Sequence, residues 1–451
     1  LHHRDAGGRG GGAMEARAWQ LERETELRCE IGANVTVTVK LVTGTAEIFG
    51  VELAANKVYH FKGQNIAVFT WYGATLETTG MAEFYTSNET PMISYVNTHA
   101  QLEARRDAAL ASNDVGPRVM VVGQTDCGKS TLCRILTAYA VRLGRTPIYV
   151  DLDVGQGSIT VAGCVAAVPL DIGGLSLEDG YTLNAPLAFF VGHNNLNSAA
   201  GVYKHFTTRL AHCVGERMRR DPEAQASGLV INTCGWVDGL GYQLLLHAIK
   251  AFEVDVLLVM GHDRLYAQLK ETMTNNTVVV KLARSGGVVQ RDSKHRRDAR
   301  NARVHEYYYG SPLLEQPFQP SRMEMRLSEL RIFRLATGGG SGAAAPGAAG
   351  AGGGGTADSV VTAIPVVPAE GLAHCVLGVC HVDEEQADAE GVARDDEGFV
   401  SRQVTNSNVA GFAYVMDIDL NRGLVGLLLP CEGALPSKYM IVGEIKSMLD
   451  A

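Results

Sequence analysis

Residues Arg118–Leu143 read RVMVVGQTDCGKSTLCRILTAYAVRL, and this stretch decides the fold. The apolar run from Arg118 to Val122, stopped by a glycine, has the length of a buried strand. From Ser130 to Leu143 the residues Leu132, Ile135, Leu136, Tyr139, Ala140 and Leu143 recur at helical spacing. Between strand and helix lies GQTDCGKST, Gly123–Thr131, which fits GxxxxGK[ST]. In that context Gly123 and Gly128 let main-chain N–H groups wrap a triphosphate, Lys129 reaches the β and γ phosphates, and the Ser130 hydroxyl can hold Mg²⁺. The helix N-terminus adds a favourable field for an anion. The bland alternative is a glycine-rich turn with a solvated lysine, but a strand before and a helix after favour a nucleoside triphosphate site.

Working outward, 451 residues suffice for about three domains. A composition 46% hydrophobic and 20% charged is that of a soluble globular protein. No apolar run approaches the roughly 18 residues of a membrane span, so no membrane partner is expected. The opening LHHRDAGGRGGGA has no apolar segment of the secretory kind; residues 1–18 read as a disordered leader, with Met14 as candidate start. Nine scattered cysteines imply a reducing compartment and free thiols. HCVLGVCH, His374–His381, reads as either a metal group or a buried strand; Cys375 and Cys380 would point to opposite faces of a strand, which favours the latter. A net charge of −9 argues against nucleic-acid binding by the whole surface, so any polyanion site must be local.

Before the phosphate loop, residues 19–98 alternate in short runs broken by glycines, with Val35, Val37, Val39 and Leu41 on one face. A small antiparallel sandwich or barrel is expected there, joined by a helix around Ile93–Ser112. After it, PIYVDLD, LAFFVG, LVINTCGW, VDVLLVMG and TVVVKLA alternate with helical segments, which means a parallel sheet covered on both faces with ligands at the carboxyl ends of its strands. The glycine-alanine stretch of residues 337–357 and an acidic loop near Asp383–Glu397 should be disordered. VVTAIPVV, GFAYVMDIDL and KYMIVGEIK read as strands of a third domain. The fold class is therefore α/β: a central P-loop parallel sheet (99–321) between an N-terminal β-sandwich and a small C-terminal β-rich domain (322–451).

Three further motifs carry chemistry. In DLDVGQG, Asp153 closes a strand where it could accept a proton from an attacking hydroxyl or hold Mg²⁺ through water, and Asp151 could support the metal from behind. From Val288 to Arg303 six cations, Arg291, Lys294, Arg296, Arg297, Arg300 and Arg303, face two acids. After the Gly286–Gly287 turn they read as a mobile arginine lid, with Arg296, Arg300 and Arg303 on one helix face, or else as a solvated basic helix or a nuclear-import signal. Finally, TCGW places Thr233 and Trp236 at the same sheet edge, where the indole can stack a base or simply fill core.

Taken together, TDCGKST, DLDVGQGS, NTCGW, AFEVDVLLV, SGGVVQR, the arginine run and EYYYG resemble the eukaryotic polynucleotide 5′-hydroxyl kinase family that is a subunit of the pre-mRNA cleavage and polyadenylation factor. The resemblance runs from about Trp19 to the C-terminus. It implies a P-loop kinase domain that uses ATP and Mg²⁺ to phosphorylate RNA 5′ ends, in the nucleus. Asp126, Cys127, Gly128, Lys129, Ser130 and Thr131 would hold the phosphates and metal, Asp153 would act as base, and Thr233 and Trp236 would clasp the terminal nucleotide. Arg291, Arg296 and Arg300 would belong to the lid, and Glu26 would contact the adenine; Asn65 stands where a lysine is expected, and HNNLNSAAG after Gly192 departs from a threonine-proline wording. A polyadenylation scaffold protein and the tRNA-splicing endonuclease are the implied partners. The alternative is a catalytically silent, ATP-loaded scaffold, and both loop and lid are intact here. A GTPase-type switch lacks an NKxD motif in this sequence.

Overall fold

In the first ninety residues the strands Thr36–Gly44, Val58–Lys62 and Ala74–Thr79 alternate buried and less buried positions, as a two-layer β structure requires. The computed structural model describes residues 16–178, 180–181, 186–274, 276–311, 313, 317–337, 360–382 and 397–449. Residues 1–15 of the expected 1–18 leader, the glycine-alanine stretch from 338 and the acidic loop of 383–396 lie outside the described residues, whereas Arg17 and Ala18, expected in the leader, open the first strand. Two units divide the chain: residues up to Met92 with Ser176–Gly180 and Ser285–Gly287, and the remainder.

In the first unit β1 (Arg17–Leu21), β2 (Thr25–Glu30), β3 (Thr36–Gly44), β4 (Glu47–Ile48), β5 (Val51–Glu52), β6 (Val58–Lys62), β7 (Ile66–Thr70), β8 (Ala74–Thr79) and β9 (Glu83–Ser87) form two antiparallel sheets. Their orders are β1-β8-β3-β6 and β5-β4-β7-β2-β9. As the alternation of β3 demands, Val37, Val39 and Leu41 are buried with Leu27, Ile48, Phe61, Val68 and Leu76 in the sandwich core. Asn65 serves this unit, its Oδ1 accepting from the Ile31 N–H at 3.1 Å. Glu26 is buried, accepts from Arg28 Nε at 2.5 Å and from Thr90 Oγ1 at 3.2 Å.

The linking helix α1 (Met92–Ser112) leads to β10 (Arg118–Val122), α2 (Lys129–Arg142), β11 (Ile148–Asp151), β12 (Cys164–Pro169), the ribbon β13 (Leu175–Ser176) and β14 (Gly180–Tyr181), and β15 (Leu187–Phe190). Next come α3 (Ala200–Arg220), α4 (Pro222–Ser227), β16 (Leu229–Asn232), α5 (Leu240–Ala251), β17 (Val256–Met260), α6 (Asp263–Thr272), β18 (Val278–Leu282) and α7 (Ser293–Tyr309). The central sheet has the order β15-β12-β11-β16-β10-β17-β18. From β11 to β18 neighbours run parallel, and β10, β16 and β17 are buried at nearly every position, as strands of a sheet covered on both faces are. Sequence reading had no strand at β12. It runs antiparallel to both neighbours, since the link from β11 contains no crossover helix to carry the chain back.

β19 (Ser321–Arg326), β20 (Arg331–Thr337), β21 (Val361–Pro365), β22 (Cys375–Cys380), β23 (Val409–Asp419), β24 (Leu424–Leu429) and β25 (Tyr439–Lys446) make the C-terminal sheet, in the order β19-β24-β23-β22-β25-β20-β21. Cys375 and Cys380 are buried at the two ends of β22, in the strand that spacing favoured. This sheet meets the central one without room for a side chain. A Cβ on Gly443 would sit 2.0 Å from the Gly192 carbonyl oxygen, and the Glu444 N–H donates to that oxygen at 2.7 Å. Among the described residues no helix is long and apolar enough to cross a membrane.

Candidate active site

Parallel strands in register end together, and this alone gathers the motifs. Asn232 of β16 stands opposite both Val121 of β10 and Asp151 of β11, so the phosphate loop, TCGW and DLDVGQGS leave the sheet side by side.

The phosphate loop has the backbone its glycines allow. Gly123 and Gly128 have φ of 155° and 93°, and a Cβ on Gly123 would come within 2.9 Å of the Met260 carbonyl oxygen. No side chain caps the first turn of α2, which leaves its N–H groups for an anion. Lys129 is buried and its Nζ donates to the Gln124 carbonyl at 2.8 Å, curling over the loop it serves. The Ser130 hydroxyl is exposed. Thr131 follows in the same turn, half-buried. Burial raises the Cys127 thiol above its ordinary value, with Lys129 opposing, so this residue offers its main chain and not a thiolate. Glycines, open N–H groups, a lysine and a free hydroxyl fit a triphosphate with its metal ion.

Asp151 and Asp153 play different parts. Asp151 is buried, and both its oxygens are occupied: Oδ1 accepts from the Asp153 N–H and from Asn232 Nδ2, each at 3.0 Å, and Oδ2 from the Ser158 N–H at 2.7 Å and Ser158 Oγ at 2.6 Å. It therefore fixes the loop that carries Asp153. Asp153 accepts the Gly155 and Gln156 N–H groups at 3.0 and 3.2 Å on Oδ1 alone. Burial, then repulsion from Asp151, pushes its carboxyl up to about 6, against the pull of Lys129 and the two amides. A carboxyl titrating there can take a proton near neutrality. Ser158 and Asn232 escaped sequence reasoning because nothing about a lone serine or asparagine marks a carboxylate clamp.

Thr233 is buried, its hydroxyl donating to the Val121 carbonyl at 2.8 Å, and so ties TCGW to the phosphate-loop strand. Trp236 is half-buried. With Thr233 and Tyr203 it lines a cavity of about 10 Å³, which holds one water at most and is no base pocket. Gly235 touches the phosphate loop: a Cβ there would lie 2.4 Å from the Thr125 nitrogen.

The arginine run folds as α7 and reaches the phosphate loop. Asp126 Oδ2 accepts from the Arg291 N–H at 3.0 Å and from Arg296 Nη2 at 2.6 Å. Burial alone would raise the Asp126 carboxyl, but these bonds and the two arginine charges outweigh it and hold it below its ordinary value. Arg300 is half-buried, and burial followed by the charges of Arg296 and Arg297 lowers its affinity for the proton. Arg296, Arg300 and Arg303 fall within the one helix at the spacing of a single face, and Arg303 is engaged along it by Glu306 at 3.1 Å. At its far end α7 is anchored by EYYYG: Tyr307 Oη accepts the Phe412 N–H at 3.0 Å and its ring meets Phe412 edge to face at 5.4 Å. The C-terminal sheet thus holds the far end of α7.

Three family models match the chain. Residues 123–310 match the mRNA cleavage and polyadenylation factor CLP1 P-loop, 20–109 the N-terminal beta-sandwich domain of polyadenylation factor, and 318–448 the pre-mRNA cleavage complex II protein Clp1. The chain belongs to the Clp1 family. It is 39% identical over 436 residues to the polyribonucleotide 5′-hydroxyl-kinase Clp1 of Homo sapiens and to that of Gallus gallus, covering 95% of this chain and 96% of each relative. Over 445 residues it is 40% identical to the protein CLP1 homolog of Arabidopsis thaliana, covering 96% of this chain and 95% of that one. Among solved structures it is similar to wild-type Clp1p in complex with Pcf11p, with a TM-score of 0.78, 26% identity, and 97% of this chain and 99% of that one covered. A second Clp1p structure, described as showing an extended interface with Pcf11p and the basis of ATP loss in a glycine-to-arginine mutant, gives a TM-score of 0.79 at 25% identity, covering 97% of this chain and 100% of that one.

Proposed function

We propose that this Clp1-family chain is an ATP-dependent polynucleotide 5′-hydroxyl kinase, transferring the γ-phosphate of ATP to the 5′-hydroxyl of RNA within the machinery of mRNA 3′-end cleavage and polyadenylation. The observation that carries the reading is the lid: Arg296 reaches the phosphate loop at Asp126, and Lys129 of the same loop lies close enough to Asp153 to act on its carboxyl. In the reaction Asp153 accepts the proton of the 5′-hydroxyl as its oxygen bonds to the γ-phosphorus and the bridge to the β-phosphate breaks. Lys129 gives up the Gln124 carbonyl for the phosphates, and Arg291, Arg296 and Arg300 offset the charge that develops on the transferring group. Ser130 would hold Mg²⁺, supported by Asp151 through its neighbours, and the ion would neutralise phosphate charge. Trp236 and Thr233 are assigned to the terminal nucleotide, outside the small cavity that they line, while the main chain of Asp126 to Thr131 borders the phosphates and Glu26 is assigned to the adenine.

The proposal extends to three domains, 19–98, 99–321 and 322–451, to a nuclear location, to a scaffold partner of the Pcf11 kind, and to service with the tRNA-splicing endonuclease. Its test is direct. Purified protein given ATP, Mg²⁺ and a short 5′-hydroxyl RNA should yield 5′-phosphate, and Lys129→Ala should abolish it. ATP that co-purifies without any product would favour the silent scaffold instead.

A further inference from the structure

The acid in the phosphate loop needs its own explanation. Asp126 is the one residue between Gly123 and Lys129 that brings a negative charge to a place built for phosphates, and its φ of 54° lies in the left-handed region that Asp enters more readily than most side chains. Its carboxylate is held from the arginine run: the Arg291 main chain and the Arg296 side chain converge on a single oxygen, Oδ2, at 3.0 and 2.6 Å. Asp292 caps the first turn of α7 through the His295 N–H, so residues 291–296 are held as one rigid piece once Asp126 has gripped them. Arg296 is not exhausted by the contact, since its Nε is buried without a partner. A donor in that state suits an incoming phosphate oxygen.

We infer that Asp126 is a positioning residue that latches the arginine lid to the phosphate loop and presents Arg296 to the γ-phosphate. It acts through Arg296 and not by touching ATP. Because the latch belongs to the loop that binds the triphosphate, lid placement precedes nucleotide arrival, and closing requires no search by a long flexible side chain. A carboxylate serving the phosphates themselves would repel them, so its removal should leave ATP binding unharmed or tighter.

This inference rests on the kinase reading for its rate effects but has a separate structural readout. In Asp126→Ala, kcat for 5′-phosphorylation should fall on the order of tenfold or more, with KM for ATP unchanged or lower. Asp126→Asn, which keeps an acceptor for the Arg291 N–H but loses the charge, should fall between. In an Arg296→Ala background, Asp126→Ala should add less than about twofold, because the partner it positions is gone. Without nucleotide, trypsin should cut between residues 291 and 303 several times faster in Asp126→Ala than in the parent. A raised KM for ATP with unchanged kcat, fully additive losses, or an unaltered cleavage rate would overturn the latch. If the parent itself makes no 5′-phosphate, the kinase reading fails while the cleavage rates still decide the latch.

Discussion

Replacing Gly235 by alanine tests whether the acceptor loop and the phosphate loop are one machine. Gly235 follows β16 in TCGW, and an added Cβ would lie 2.1 Å from Thr125 Oγ1, 2.4 Å from its nitrogen and 2.5 Å from its Cα. Ordinary contact begins at 3.4 Å, so backbone must part from backbone by about 1 Å. Rotating the Thr125 side chain removes only the first overlap. A displacement of that size in groups that position reactants costs on the order of 10²-fold in turnover, and the overpacking costs about 1–3 kcal/mol of stability. Turnover should be followed as 5′-phosphate formed on a 5′-hydroxyl oligoribonucleotide, ATP affinity by calorimetry, and folding by thermal melting. Thr125→Ala added to Gly235→Ala should not restore activity, since the Thr125 nitrogen and Cα remain in the way. Turnover within threefold of the parent at unchanged ATP affinity, or rescue by Thr125→Ala, would show that the two loops are not rigidly apposed.

Two more perturbations follow from named contacts. Because burial and Asp151 hold the Asp153 carboxyl at about 6, above the ordinary carboxylate, the base is lost as pH falls through that value. The rate profile of kcat/KM should therefore drop on the acid side near pH 6, and Asp153→Asn should erase that limb while lowering turnover about 10²–10⁴-fold; a flat profile from pH 5 to 8 in the parent would remove Asp153 as base. Tyr307→Phe keeps the ring against Phe412 but strands its N–H, a loss of about 1–3 kcal/mol. The melting temperature should fall by a few degrees and trypsin should reach α7 sooner; an unchanged melt would mean the phenol does not anchor the lid helix.

How much of this was legible in the chain follows from the range of the forces involved. Gly123, Gly128, Lys129 and Ser130 announce a phosphate cradle because its geometry is made by consecutive residues, and the run ahead of them announces a doubly covered strand because burial on both faces leaves no polar position free. Alternation at Val37, Val39 and Leu41 fixed a sandwich in the same local way. Out of reach of any such pattern were Ser158 and Asn232 clamping Asp151, Gly235 abutting Thr125, and Tyr307 holding Phe412. The partner of Asp126 lies 170 residues away in Arg296, and no periodicity spans that gap. Local sequence settles what each segment is, because hydrogen bonding and burial act within a few turns of chain. Which oxygen meets which guanidinium is settled only when the sheet brings strand ends together in register, since contacts of that kind depend on ångström positions contributed by segments that do not know of one another until they pack.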